Sequence, residues 1–300
     1  MTMSSRNILL TISYDGTDFC GWQRQDDADG GEANRTVQGE VEKALEKVHK
    51  HKTTLYGSGR TDSGVHAVGQ TANFYSPFDS IPAENYVRAL NAFLPDDVRI
   101  VDAREVPEDF SARKSATSRV YRYFISTDLN GNVTADNLRF CWRVKNYTPN
   151  LERLNKYCEC LHGELDCSSF AASGDDSVSN NRYIDGARFF LQKDRWDKDL
   201  LVFEIEANAF LWKMVRTLTG TLVNLDKEGA PADAMQKILD AHDRTKAGVT
   251  APPNGLFLYE IKFDGIRRHV YNTNMSVPCL TRESLHHSHM QIVGSSPTMT

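Results

Sequence analysis

Apolar positions in the first part of the chain form one strand-like run followed by a stripe at helical spacing. Residues 7–14, NILLTISY, are a short apolar run that predicts a β-strand. In residues 36–49 the apolar side chains recur every three or four positions, which predicts an amphipathic helix. The apolar stripe of that helix consists of Val37, Val41, Leu45 and Val48.

Further apolar runs complete this half of the chain. A helix at 82–94 is expected because Pro82 suits a first turn and Pro95 prevents the helix from continuing. The predicted strands of this region lie at 53–57, 69–75 and 98–106. Together these elements predict the order βαββαβ.

The second half shows the same alternation of strands and helices. Its predicted strands lie at 119–126, 183–192, 200–207 and 256–263, and its predicted helices at 150–162, 209–224 and 231–241. Asn208 is a residue type that caps helix N-termini, so the middle helix is expected to begin directly after it. On that helix Lys213 and Arg216 lie off the apolar stripe, which would let a cation face a cleft.

Two α/β halves with mixed strand order predict an α+β architecture. We place the halves at residues 1–110 and 111–271, the first of which carries the loop around Asp62. Residues 272–300 are poor in large apolar side chains, so the sequence predicts a disordered tail there.

Composition narrows the class of protein. The chain has 300 residues, of which 40% are hydrophobic and 25% charged, as in soluble globular proteins. No apolar run is long enough to span a membrane, and the first residues lack a secretory signal, so a cytoplasmic location is predicted. The six cysteines show neither CxxC spacing nor the density of a disulfide scaffold, which favours reduced thiols and no metal site.

The net charge of -5 argues against a protein that coats nucleic acid indiscriminately, because such binding depends on neutralising phosphates. Residues 111–125 are a local exception. They contain no acidic residue, and aromatic side chains lie among their four cations, which are Arg113, Lys114, Arg119 and Arg122. This pattern alone fits a solvated surface and an RNA-facing strand equally well.

The segment from Gly57 to Gln70, GSGRTDSGVHAVGQ, places Asp62 between Arg60 and Gly64. An ordinary interpretation is an Asx turn, in which the carboxylate bonds to local backbone donors. Nucleotide binding is excluded, because the glycines do not fit a phosphate-binding pattern. Asp62, Ser63 and Gly64 also fit the D-[ST]-G signature of aspartic proteases, although a dimer would have to supply the second carboxylate.

Six separated blocks point to a known family. They are YDGTDFCGWQRQ at 14–25, TVQGEVEKAL at 36–45, GRTDSGVHA at 59–67, FSARKSATSRVYRYFI at 110–125, NAFLWKMVR at 208–216 and GLFLYEI at 255–261. In order and spacing the chain resembles the TruA-type tRNA pseudouridine synthases over roughly residues 7–270. Two positions depart from the common pattern: Ser63 replaces a frequent alanine, and Lys213 a frequent histidine.

The resemblance implies a pseudouridine synthase fold with a central cleft between the halves. It implies an isomerase that converts uridine to pseudouridine at positions 38, 39 and 40 of the tRNA anticodon stem-loop. The active form would be a homodimer. The reaction detaches uracil from ribose and rejoins it through carbon, so no cofactor, metal or nucleotide is implied. A catalytically silent RNA-binding module is the alternative.

The resemblance also assigns three catalytic roles. Asp62 matches the family's catalytic aspartate and would be the nucleophile. Arg216 matches a basic position and would offset the cost of burying that carboxylate. Tyr121 matches a tyrosine that packs on the uracil ring and assists removal of the proton from its carbon. By pattern alone, a tyrosine in a strand is more often a packing residue.

Five further residues are implied to bind substrate. Arg60 would prop the flipped nucleotide, and Leu258 would form the floor of the pocket. Flanking phosphates would be held by the basic strand, through Arg113, Arg119 and Arg122.

Overall fold

The computed structural model describes residues 6–25, 34–127, 139–195, 197–266 and 268. Within these ranges ten strands form a single sheet. The strands are β1 (Arg6–Tyr14), β2 (Tyr56–Gly57), β3 (His66–Ser76), β4 (Val98–Val106), β5 (Ser118–Ser126), β6 (Trp142–Arg143), β7 (Gly163–Asp166), β8 (Asn181–Lys193), β9 (Asp199–Ala207) and β10 (Leu256–Lys262). The α-helices of the same ranges are α1 (Val37–His49), α2 (Asn85–Asn91), α3 (Leu151–Cys158), α4 (Met214–Glu228) and α5 (Ala234–Asp240).

The last strand joins the two halves of the sheet. Strand order is β4-β1-β3-β10-β5-β9-β8-β7, with β2 paired to β3 and β6 to β5. β10 is parallel to β3 and antiparallel to β5, so Leu258 pairs with Ala67 on one side and Tyr121 on the other. The predicted α+β class and the βαββαβ order of the first half are confirmed.

Each half has its own apolar core. In the first half, α1 packs through Val37, Val41 and Leu45, which are fully buried as the stripe predicts. This helix begins after Thr36, whose side chain accepts a hydrogen bond from Gly39 N at 3.3 Å. The core of the second half includes Leu154, Leu218 and Phe203. Burial of each such side chain contributes about 1.5–3 kcal/mol.

The two cores meet at Tyr121, which packs against both. Backbone packing joins the described residues in one unit, and the sheet runs through both predicted halves. The division between residues 110 and 111 therefore stays a prediction. The predicted tail at 272–300 lies outside the described residues, as do residues 26–33.

The prediction that a helix begins directly after Asn208 is wrong. α4 begins only at Met214, and Lys213 before it is left-handed with φ of 60°. The Asn208 side chain is engaged elsewhere, because it accepts from Tyr183 N at 3.0 Å and donates to Arg268 O at 3.1 Å. Residues 209–213 instead form an irregular connection. That connection carries an exposed tryptophan, Trp212, to the site described below.

Two sequence expectations concern the wider class of protein. No helix in the described part of the chain is long and apolar enough to cross a membrane. The cysteines there are free thiols, and most are buried.

Candidate active site

Asp62 lies in a tight turn between β2 and β3. Val65 N donates to the Asp62 carbonyl at 3.2 Å, which closes the turn. Gly64 has φ of +76°, and a Cβ there would lie 2.9 Å from a side-chain carbon of Pro253. The turn therefore requires glycine at this position for both its backbone angle and its close packing.

A segment from the first loop of the chain holds this turn in place. The Phe19 carbonyl accepts hydrogen bonds from Ser63 Oγ at 3.1 Å and Gly64 N at 3.4 Å. Trp22 N donates to the Thr61 carbonyl at 3.1 Å. The Ser63 hydroxyl thus supports the turn through Phe19 rather than through the Asp62 carboxylate.

The Asp62 carboxylate binds two side chains from the second half of the chain. Oδ1 accepts from Trp212 Nε1 at 2.9 Å, and Oδ2 accepts from Arg216 Nη1 at 3.1 Å. Arg216 is itself fixed, because its Nε donates to the Ala251 carbonyl at 2.8 Å. These partners are about 150 residues away, so the carboxylate does not make the local bonds of an Asx turn.

Burial strengthens the ion pair of Asp62 and Arg216. The side chain of Arg216 is 12% exposed and that of Asp62 is 23% exposed. Electrostatic attraction is larger here than between two solvated side chains, because less water screens it. The structure therefore holds an acidic group in a defined orientation where the two halves meet.

Tyr121 lies on β5 close to this pair. Its ring makes an edge contact with Phe210, with ring centroids 5.0 Å apart. Burial raises the pKa of the Tyr121 hydroxyl, the charge of Asp62 raises it further, and Arg119 opposes both effects. At neutral pH the hydroxyl therefore carries its proton, and Tyr121 enters any reaction as a neutral phenol.

A family model described as tRNA pseudouridine synthase matches residues 10–113 and 158–264. The chain belongs to the TruA-type tRNA pseudouridine synthase family. These matched ranges include Asp62, Trp212 and Arg216, whereas Tyr121 lies in the segment between them. Members of the family are isomerases that act on tRNA, so the aspartic-protease interpretation of Asp62, Ser63 and Gly64 is wrong.

Individual relatives agree with this assignment. The chain is 50% identical to tRNA pseudouridine synthase A of Treponema denticola over 88% of its own length and 95% of that protein. It is 47% identical to the Treponema pallidum protein of the same name, over 83% and 85% of the two chains. The Brachyspira hyodysenteriae protein is 41% identical over 84% and 96%. The ten-stranded mixed sheet with helices is consistent with the fold of this family.

Two of the residues that the resemblance implies to bind substrate differ in their exposure to solvent. Arg60 is exposed, and its Nε donates to Gln23 Oε1 at 3.2 Å. Leu258 is fully buried in the first core, paired with Tyr121 across the sheet. As described, the Leu258 side chain presents no surface to a ligand, and its role as a pocket floor stays a prediction.

The basic stretch does not form one continuous surface in this synthase. Arg113 is exposed, whereas Arg119 donates to the Asn208 carbonyl at 2.7 Å and the Arg113 carbonyl at 3.2 Å. Arg122 pairs with Glu204 at 2.7 Å and lies 3.7 Å over the Tyr259 ring. Neighbouring residues of a strand point to opposite faces. Arg122 therefore lies on the other side of the sheet from Tyr121, and the structure does not bring it to Asp62.

Sequence reasoning missed Trp212, the second donor to Asp62. Its position offered a signal, since it lies in the same NAFLWKMVR block as Arg216, four residues earlier. The predicted helix from residue 209 placed residue 212 inside the helix, so that prediction provided no reason to expect its side chain at Asp62. In the TruA-type synthase the residue precedes the helix instead.

A metal site needs several donor side chains held close together in space. No cluster of three or more histidine, cysteine or acidic side chains with suitable geometry occurs among the described residues.

Proposed function

We propose that this chain converts uridine to pseudouridine at positions 38, 39 and 40 of the tRNA anticodon stem-loop, with Asp62 as the catalytic nucleophile. The observation that carries the proposal is the Asp62 carboxylate itself. It is held by Trp212 and Arg216 at the junction of the two halves, close to the Tyr121 ring. The six blocks shared with TruA-type synthases support the choice of nucleotides.

The reaction requires one bond to break and another to form. The bond between uracil nitrogen and ribose breaks, the base rotates, and a ring carbon bonds to the same ribose carbon. The proton of that ring carbon is lost and the freed nitrogen gains one, so substrate and product are isomers. In the proposed mechanism Asp62 acts as the nucleophile, forming a temporary covalent bond to the nucleotide that breaks again before the product leaves. Arg216 holds the carboxylate, and Tyr121 packs on the ring and assists removal of the proton from its carbon.

A uridine within a stem reaches this site only by leaving the stack. Flipping a base out costs a few kcal/mol, which contacts in the pocket and along the backbone must offset. The exposed Arg60 lies two residues before Asp62, where its guanidinium can support the flipped nucleotide. Arg113 is exposed as well and is proposed to contact a flanking phosphate.

Uridines at all three positions should be modified in unrelated tRNAs. Recognition through shape and backbone tolerates varied neighbouring bases, and a flexible stem lets one pocket receive adjacent nucleotides. The test uses tRNA transcripts with uridine at only one of positions 38, 39 and 40, followed by mapping of pseudouridine. Modification of a single position in every tRNA, or of another arm, would contradict the multisite proposal.

Tyr121→Phe should lower kcat by about tenfold to a hundredfold and leave tRNA affinity within about twofold. The ring and its contact with Phe210 persist, and only the hydroxyl is lost. Single-turnover rates and filter binding measure the two quantities separately. Tyr123→Phe is the matched control and should keep the parental kcat. It also removes a buried tyrosine hydroxyl, which in Tyr123 donates to the Pro252 carbonyl at 2.6 Å. An unchanged kcat in Tyr121→Phe would return Tyr121 to a packing role.

We further propose that the active form is a homodimer and that it acts in the cytoplasm. The resemblance to TruA-type synthases supports the first statement, and a tRNA substrate supports the second. Light scattering of the full chain tests the dimer, which a mass equal to one chain would contradict. Fractionation of cells tests the location.

A further inference from the structure

We propose that Trp212 is a positioning residue that fixes the orientation of the Asp62 carboxylate for catalysis. The inference rests on the proposed role of Asp62 as the nucleophile. It concerns a side chain to which the reaction steps given above assign no role.

The two donors to Asp62 bind different oxygens of the carboxylate. Arg216 binds Oδ2 at 3.1 Å, and the Trp212 indole N–H binds Oδ1 at 2.9 Å. One donor on one oxygen leaves the carboxylate free to rotate about its own bond. A second donor on the other oxygen removes that freedom, which matters because nucleophilic attack depends on a defined approach. Trp212 does this as a neutral group, so it orients the carboxylate without adding a second positive charge.

The backbone of Trp212 is held on both sides of the residue. Its amide nitrogen donates to the Asp175 carboxylate, and its carbonyl accepts from Ala172 N at 3.2 Å. Burial opposes ionisation of Asp175, but hydrogen bonds from Ser177 and Trp212 and the charge of Arg182 outweigh it and lower the pKa of that carboxyl. The indole therefore projects from a fixed backbone, as a positioning group must.

Core packing does not explain the placement of Trp212. The residue is 44% exposed, which is high for a tryptophan, and yet its polar nitrogen is directed at Asp62. Lys213 adds to the environment, with its ammonium 4.0 Å from the centre of the indole ring. An exposed side chain of this kind can be replaced with little effect on folding.

The test separates the indole N–H from the ring. Trp212→Phe keeps an aromatic ring and removes the donor, and Trp212→His returns a ring N–H. Bulk tRNA carrying tritium on the ring carbon that bonds to ribose reports turnover, because the reaction releases that label. Trp212→Phe should lower kcat by about tenfold to a hundredfold with KM for tRNA within about twofold. Trp212→His should recover at least part of kcat.

Two further variants make the outcome specific. Trp142→Phe removes the indole N–H of a residue that packs on Tyr123 rather than bonding to Asp62, and should keep the kcat of the parent. Asp62→Asn, assayed in parallel, tests the proposed nucleophile itself. If Asp62→Asn is inactive while Trp212→Phe keeps kcat within about twofold, the positioning role is overturned and the proposed function stands. A Trp212→His variant no faster than Trp212→Phe also overturns it, and an active Asp62→Asn overturns the proposed function instead.

Discussion

Asp62→Asn should reduce pseudouridine formation by on the order of a thousandfold or more and leave tRNA affinity within about threefold. The amide has the shape of the carboxylate but neither its charge nor its nucleophilic oxygen. Affinity should persist because it depends on contacts with the RNA backbone rather than on one half-buried acid. Mass spectrometry of nucleosides from incubated tRNA measures the product, and filter binding measures affinity.

A matched control uses an acid of the same type. Asp102 is exposed on β4, and Asp102→Asn should keep the activity of the parent. Activity of Asp62→Asn within tenfold of the parent would remove Asp62 from the mechanism, whatever the control shows.

Arg216→Gln should lower both turnover and stability. Its guanidinium donates to Asp62 and to the Ala251 carbonyl, so its loss leaves a poorly solvated carboxylate without its counter-charge. Hydrogen bonds to charged groups contribute about 1.5–3 kcal/mol, so we expect a comparable loss in the free energy of unfolding. The kcat should fall by about a hundredfold, because the carboxylate loses the donor on Oδ2. Urea denaturation and single-turnover assays measure the two effects.

A second ion pair distinguishes lost stability from lost catalysis. Arg153 pairs with the fully buried Asp226 at 2.6 Å, away from Asp62. Arg153→Gln should therefore destabilise the fold while keeping kcat. The combined variant of Asp62→Asn and Arg216→Gln should be less destabilised than the sum of the single variants, because the unpaired charge is gone. Retention of the parental kcat by Arg216→Gln would show that the pair is only structural.

The local pattern of the chain determined which elements form. Apolar periodicity reports which side of an element is buried, and the stripe of Val37, Val41 and Leu45 is buried as predicted. The same dependence on periodicity explains why two short strands were not predicted. β6 has two residues and β7 has four, which are too few to show a period. The blocks around Asp62 and Arg216 likewise indicated the family before any coordinates were known.

Only the tertiary structure decided how those blocks meet. β10 inserts between β3 and β5, and this pairing brings the Asp62 turn beside Tyr121 although 59 positions separate them, from 62 to 121. Adjacent residues of β5 point to opposite faces of the sheet. The alternation in the sequence does not say which of these faces will carry the site. Arg122 consequently pairs with Glu204 instead of facing Asp62.

The start of α4 shows most clearly what a local sequence pattern cannot predict. Asn208 is a good N-cap by residue type, and the sequence by itself therefore predicted a helix from residue 209. The side chain instead bonds to Tyr183 and Arg268, which are distant in the chain and invisible to a local pattern. The sequence by itself thus determined most of the elements and the family, because these depend on the local order of residues. The tertiary structure decided that Trp212 reaches Asp62, because that contact depends on long-range partners holding residues 208–213 out of the helix.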